Sequence, residues 1–374
     1  MVNVFVAGVG MTRVGRRVEP LADLMAEAAH AALADARCER PDSLVVAAMN
    51  PEEFVGDGNF ASSVATAMGF SDVPALRVET ATSSGAAAFY AGFLEIAAGV
   101  RDTVLVVGGE KMTHLATPKV SELIGRSIDP CERAYGATMP ALAGLVTRAV
   151  LARGGMSLRE MAQVAVKNHA NGARNPYAHF RAPVTLEDVL ESRMVADPLR
   201  LLHCCPISDG AAAVVLTRAR TAVRVAGIGE GTDTLALRHR RDITSFVATR
   251  AAARAAFAMA GFGPERVGVA ELHDAFAPFE LISLEDVGLV EPGKAGRVTL
   301  DGDTALDGRL PVNPSGGLKA RGHPLAATGL AQLVECAWQL TGRAAGRQVQ
   351  ARVALAHSIG GLATNNWVIL LEAT

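Results

Sequence analysis

Apolar residues in this chain gather in short β-branched runs separated by longer Ala-rich stretches. Residues 4–11 (VFVAGVGM) predict a first strand, and the apolar spacing of residues 21–34 predicts an amphipathic helix. Strands follow at 42–49, 75–80 and 102–110, with a helix over about residues 83–99 after the third. A buried strand at 209–217 (DGAAAVVLT) closes this half. The second half repeats the plan. It holds a strand at 224–229, a helix at 243–259, a strand at 267–276 that ends in polar residues, a turn and helix at 322–340, and strands at 352–361 and 365–373. The alternation predicts an α/β fold with a mainly parallel sheet, helices on its faces and two topologically similar halves.

Residues 111–195 break this rhythm. They contain Pro118, Pro130, Pro140, Pro176 and Pro183, two helical stretches and the polar run KNHANGARNPYAHFRAP. The segment reads as a long insertion lying over a site. The expected division is therefore 1–115 with 196–220 as the first half, 116–195 as the insertion, and 221–374 as the second half.

Ligands of such sheets collect at the carboxyl ends of strands. Four polar clusters fall there: Thr82–Ser84, His273–Asp274, His323 and His357–Ser358. Composition narrows the chemistry further. Half of the 374 residues are hydrophobic and 20% are charged, as in a core-rich globular protein. A net charge of −2 gives no bulk electrostatic reason to bind nucleic acid. The five cysteines (Cys38, Cys131, Cys204, Cys205 and Cys336) are scattered without zinc spacing and read as reduced thiols of a cytoplasmic protein. The apolar start is too short for a signal peptide, and no uninterrupted apolar stretch has the length of a membrane span. No phosphate-loop or dinucleotide fingerprint occurs, so neither a bound cofactor nor a metal is expected.

The segment NPSGGLKARGHPLAATG (313–329) resembles the GHP signature of the thiolase superfamily. HDAF (273–276), CPISDGAAAVVL (205–216) and AHSIGG (356–361) resemble, in the same order, motifs of its sterol-carrier-protein-type and archaeal branch. The first strand, the stretch VETATSSG and the strand VLVVGGEKM correspond as well, so the likeness spans essentially the whole chain. It implies a five-layered αβαβα fold of two fused halves and a homodimer or homotetramer. It also implies a coenzyme A thioester as substrate under the insertion, with Claisen condensation or its reverse as reaction class.

Two positions depart from that pattern. Aligning Ser84-Gly85 on the family's C-x-S-G places Thr82 where relatives carry the acylated cysteine, and Ala275 stands where many carry the cysteine of HDCF. A helix N-terminus stabilises a thiolate but does far too little for a threonine hydroxyl. The resemblance implies that His273 and His323 hold an enolate oxygen and that His357 stands near Thr82 as base or orienter. The backbone at Thr82 and Gly360–Gly361 would form a second oxyanion hole. Ser83, Ser315, Gly316, Lys319 and Ser358 are the expected substrate contacts, with Ser83 and Ser84 also read as helix caps. Lys319 and Arg321 suit either the CoA phosphates or a solvated loop. His203 reads as structural, and Cys204 and Cys205 as core thiols.

The favoured expectation is an atypical enzyme that makes or breaks a carbon–carbon bond on an acyl-CoA or carrier-bound thioester through an enolate, in a Claisen or aldol/retro-aldol sense, without a cysteine acyl-enzyme. Thiolase-like aldolases that lack the cysteine imply a small OB-fold partner. They use tyrosines near these motifs, for which only Tyr90 and Tyr135 are close in sequence. The alternatives are an acyltransferase with Thr82 or Ser83 as nucleophile, and a non-catalytic acyl-CoA-binding or scaffold subunit.

Overall fold

The computed structural model describes residues 3–374. Its strands are β1 (Phe5–Met11), β2 (Ser43–Ala47), β3 (Ala75–Val78), β4 (Thr103–Glu110), β5 (Met194–Ala196), β6 (Leu199–Arg200), β7 (Gly210–Thr217), β8 (Val223–Thr232), β9 (Val269–Glu271), β10 (Val353–Gly360) and β11 (Asn365–Ala373). β5 and β6 form a small hairpin, and the other nine make one sheet in the order β3-β2-β4-β7-β1-β8-β11-β10-β9. β1 and β8 meet antiparallel at the seam, Phe5 opposite Arg224 and Val6 opposite Val223. Outward from that seam the two halves run alike, β1-β7-β4-β2-β3 on one side and β8-β11-β10-β9 on the other. An isolated parallel bridge from Ala270 to Val312 takes the place of a fifth strand in the second half.

The repeat is visible in residues. VAGVG (6–10) begins the first half and VAGIG (225–229) the second. Their glycines let an outer helix lie on the strand backbone. A Cβ on Gly8 or Gly10 would sit 2.4 Å from the carbonyl oxygens of Ala32 and Ala28, and one on Gly229 would sit 2.0 Å from that of Ala252. The outer helices are Leu21–Ala36 and Val247–Ala260. Helices Ser84–Ala97 and Thr328–Leu340 lie between the two half-sheets, sharing a core with Val106, Val214, Val225 and Ile369. Separate cores cover the outer faces. The result is the expected five-layered αβαβα arrangement. It sets the N-termini of both central helices near the ends of β3, β9 and β10.

Some expectations are corrected. The sheet is mixed rather than mainly parallel: β2 pairs parallel with β3 and β4, and β9 with β10, while β1, β7, β8 and β11 pair antiparallel with one another or with β4 and β10. The segment between β4 and β7 holds five helices rather than two: Thr117–Gly125, Pro130–Ala134, Met139–Ala152, Leu158–Ala173 and Leu186–Glu191. The polar run begins inside the fourth, where Lys167, Asn168, His169 and Asn171 are buried. β9 stops at Glu271 because the Leu272 N–H donates to Asn313 Oδ1 (2.8 Å) instead of to a neighbouring strand. The helix expected from residue 243 starts at Val247, since Asp286 takes the Ser245 hydroxyl and the Phe246 N–H. No helix among the described residues is long and apolar enough to cross a membrane.

Candidate active site

The turn from β3 into the first central helix is internally braced. Ala81 adopts φ 53°, a left-handed conformation that costs an L-residue about 1 kcal/mol or more. Ser84 Oγ accepts the Thr80 N–H (2.9 Å) and donates to the Ala81 carbonyl (2.5 Å), while Ser83 Oγ donates to the Thr80 carbonyl (2.8 Å). The two serines therefore stitch the turn, and Ser83 makes no capping bond as the N-cap. The end of β10 presses against this turn. A Cβ on Gly360 would lie 2.5 Å from Ser83 Oγ and 2.6 Å from the Thr80 carbonyl oxygen, so only glycine fits.

Thr82, 7% exposed, donates its hydroxyl to the Ile359 carbonyl at 2.7 Å. The N–H of the same Ile359 donates to His273 Nδ1 at 3.1 Å. Residue 359 thus ties the two together. An Nδ1 that accepts leaves the imidazole proton on Nε2, where it is a donor. The His323 ring stands perpendicular to that of His273 with centroids 5.0 Å apart. His323 Nδ1 is 2.6 Å from Thr328 Oγ1, on the first residue of the second central helix. That hydroxyl can donate or accept: where it donates to Nδ1, His323 presents an Nε2–H, and where it accepts the Nδ1–H, Nε2 carries a free lone pair. Burial holds His323 down at about 3 and His273 well below the ordinary histidine value, helped by the neighbouring His323, His357 and Arg321. Both rings are neutral at pH 7.

His357 does not join them. Side chains alternate along β10: Leu355 and Ile359 face the outer core, whereas Ala354 and Ala356 face the central helices. His357 shares the outer face and binds Thr249 Oγ1 of the outer helix through Nε2 (2.9 Å). That hydroxyl also accepts from Asn366 Nδ2 (2.7 Å). The expectation of a base on Thr82 is corrected, because neighbouring positions of a strand point to opposite faces. Ser358 falls on the inner face instead, and its buried hydroxyl has no partner.

Ser315 and Gly316 turn out to position the GHP loop. Glu271 accepts the Ser315 N–H (3.0 Å), the Ser315 hydroxyl (2.7 Å) and Arg321 Nη1 (3.3 Å). A Cβ on Gly316 would lie 2.7 Å from Gly172 Cα of the insertion. Asp274 accepts the Leu318 N–H (2.6 Å), the Lys319 N–H (3.3 Å) and Asn168 Nδ2 (2.6 Å). Burial, and then Glu280, raise the Asp274 carboxyl to about 6. Lys167 bridges Glu280 Oε1 (3.0 Å) and the Val312 carbonyl (2.8 Å). Sequence reasoning missed Lys167, Asn168, Glu271 and Glu280. For Lys167, Asn168 and Glu280 the signal was present as polar residues on the buried stripe of a helix, and for Glu271 as a carboxylate ending an apolar strand.

Other expected residues separate cleanly. Lys319 and Arg321 are each 1% exposed, which excludes a solvated loop. Burial pushes the Cys204 and Cys205 thiols up to about 11 and about 12, so neither replaces a nucleophilic thiolate. His203 Nδ1 accepts the Arg200 N–H (3.1 Å), which fixes its ring. Tyr90 packs on Phe93 and Trp367, and Tyr135 is 90% exposed, so neither stands among these histidines.

Residues 4–220 match the family model for the thiolase N-terminal domain, and residues 229–373 match that for a thiolase C-terminal domain-like unit. An acetyl-CoA acetyltransferase of Methanothermobacter thermautotrophicus is 42% identical over 372 residues, covering 96% of this chain and 97% of the relative. Sterol carrier protein 2 of Bos taurus is 34% identical over 382 residues, covering 96% of this chain and 70% of its own length. Among solved structures, one described as an Ltp2-ChsH2(DUF35) aldolase superposes with a TM-score of 0.85 at 24% identity, over 99% of this chain and 98% of that one.

Proposed function

The chain belongs to the thiolase family, and on that premise we propose that it makes or breaks a carbon–carbon bond beside the carbonyl of a CoA or carrier-bound thioester, through an enolate and without a cysteine acyl-enzyme. One observation carries the reading. The group at the nucleophile position is a hydroxyl that donates to a backbone carbonyl, while beside it stand two neutral imidazoles with ring centroids 5.0 Å apart, His273 with its Nε2–H free. Charge that develops on a thioester oxygen is stabilised strongly by fixed donors in a water-poor site. His273 is such a donor through its Nε2–H, and His323, with its Nδ1–H donating to Thr328, takes at Nε2 the proton released from the α-carbon or from the aldol hydroxyl. Thr82 holds the Ile359 peptide that orients His273, and Ser358 offers a free hydroxyl on the same face.

The acetyl-CoA acetyltransferase among the relatives supports a CoA thioester as substrate. A carbonyl partner that is an aldehyde or ketone never needs to acylate the enzyme, so an aldol or retro-aldol step suits this site best. Five unpaired cysteines fit a reducing, cytoplasmic setting. The open edge of β3, with Leu76 43% exposed, suits a homodimer or homotetramer. The two-component name of the aldolase neighbour supports a small OB-fold partner subunit.

The test uses acetyl-CoA in deuterated buffer. The native chain is expected to exchange the α-protons while its intact mass shows no acetyl adduct. A stable adduct that disappears in Thr82→Val would replace this reading with hydroxyl-based acyl transfer. Thioester binding without exchange would leave a scaffold.

A further inference from the structure

Lys319 carries a charge that the fold leaves unanswered. It is 1% exposed, yet among the described residues its Nζ has no hydrogen bond and no ion pair, only the face of Phe180 with its centroid 5.2 Å away. Asp274, close by through its bond to the Lys319 N–H, has both carboxylate oxygens occupied by Leu318, Lys319 and Asn168 amides. Asp274 acts on Lys319 only through space, and a buried ammonium without a directly bonded acceptor is costly unless something supplies one.

The surroundings are those of a receptor for a small anion. His169 and His179 both pack on Phe180, with centroids 5.5 and 4.7 Å away. Backbone bonds from His179 and Phe180 to Arg321 and Ala320 fix that segment alongside the lysine. His203 accepts at Nδ1, so its buried Nε2 carries a proton, and that N–H has no acceptor. The Lys319 charge, added to burial, depresses His169, His179 and His203 alike. Arg200 adds to the effect on His203 and Arg13 to that on His179, so the cluster holds the Lys319 ammonium, one N–H donor without an acceptor among the described residues, and neutral rings, with the two guanidinium groups in range.

We propose that Lys319 and His203 form a subsite for a carboxylate borne on the acyl group, which makes the substrate a carboxy-acyl thioester. This deepens the thioester reading and rests on it. One ammonium and one N–H donor match the two oxygens of a carboxylate, whereas a phosphate presents three that want donors. Position agrees as well. Lys319 lies four residues before His323 on the same loop, and the Cys205 N–H beside it donates to the Ala275 carbonyl next to His273. The phosphates of CoA are held away from the reacting carbonyl by the whole pantetheine arm.

The test compares glutaryl-CoA with valeryl-CoA, equal in chain length and differing in the terminal carboxylate, by calorimetric titration of the full chain. The native protein is expected to favour glutaryl-CoA by about tenfold or more. Lys319→Met should bring the ratio to about one, and Lys319→Arg should keep a preference. Equal affinities in the native chain overturn the subsite, and so does a preference that survives Lys319→Met. Displacement of glutaryl-CoA by inorganic phosphate would overturn it in favour of a phosphate site, and borohydride trapping of a carbonyl compound on Lys319 in favour of an imine-forming amine. If Lys319→Met fails to fold, the native ratio still decides. Failure of both thioesters to bind the native chain overturns the thioester reading itself.

Discussion

Thr82→Val separates a nucleophile from a tether. Valine keeps the shape of threonine and removes only the hydroxyl. The lost bond is the 2.7 Å donation to the Ile359 carbonyl, at a site 7% exposed. A buried carbonyl left without its donor costs about 1–3 kcal/mol. With an unfolding entropy of about 2.1 cal/mol/K per residue, that lowers the thermal midpoint of a 374-residue chain by about 1–4 °C. Ile359 also holds His273 through its N–H, so a loosened peptide blurs the position of that donor. Losing good alignment of one oxyanion donor costs at most about 10²–10³-fold, and partial loss far less. We therefore expect α-proton exchange on acetyl-CoA to fall by about tenfold or less. Removing a catalytic nucleophile costs orders of magnitude more. The assay is deuterium incorporation followed by mass spectrometry, with calorimetric unfolding of the same samples. A loss beyond about 10⁴-fold with a midpoint shift inside the stated range refutes the tether and makes Thr82 the reacting group.

Further outcomes follow from the same geometry. Gly360→Ala drives a Cβ to 2.6 Å from the Thr80 carbonyl, so it should cost about 2 kcal/mol or more and abolish exchange, as seen in denaturant unfolding and the deuterium assay. His357→Gln should leave exchange within about threefold, because His357 binds Thr249 on the outer face; a loss like that of His323→Ala contradicts that placement. Burial holds His357 at about 3 against about 6.5 when unfolded, so its stabilising contribution is complete above pH 6.5 and drains away as pH falls towards 3. Between pH 6 and 4 the His357→Gln variant should accordingly lose about 1.4 kcal/mol less per pH unit than the native chain, measured by unfolding across that range. His273 and His323 stay neutral well below pH 6.5, so an acid limb of the exchange rate near pH 6–7 should belong to the Asp274 or Glu271 carboxyl; a limb that survives both Asp274→Asn and Glu271→Gln would mean that one of the histidines titrates normally.

Much of the fold was legible because period and spacing are local properties. Every strand of the nine-stranded sheet was anticipated, most within two residues of its observed ends, and the VAGVG and VAGIG glycines mark the two outer-helix contacts directly. β9 is the exception, because a side chain 41 residues on, Asn313, captures the Leu272 amide. The helices of the insertion were undercounted for a related reason. Lys167, Asn168 and Asn171 look like loop residues until Glu280, Asp274 and the Asn313 carbonyl arrive from elsewhere in the chain to satisfy them. Motif order identified the histidines, but not their directions. Only the parity of β10 reveals that His357 and Ser358, adjacent in AHSIGG, serve opposite faces.

The Ile359 peptide explains why threonine is an apt occupant of position 82. A thiolate there would face the Ile359 carbonyl oxygen, a negative dipole end, and would gain no bond from it. A hydroxyl donates to that oxygen and closes a chain from Thr82 through Ile359 to His273. On the proposed reading, the turn that could present a nucleophile therefore braces an oxyanion donor in this chain. Ala81 keeps its left-handed strain because Ser84 binds on both sides of it, at Thr80 N–H and Ala81 carbonyl. The strain, the serines and Gly360 all fix the distance between the first central helix and β10. Ala275 fits the same logic, since a second thiol is of use only when an acyl-enzyme must be made and resolved. What remains is a rigid, neutral pair of imidazoles, which on the proposed reading serves an enolate.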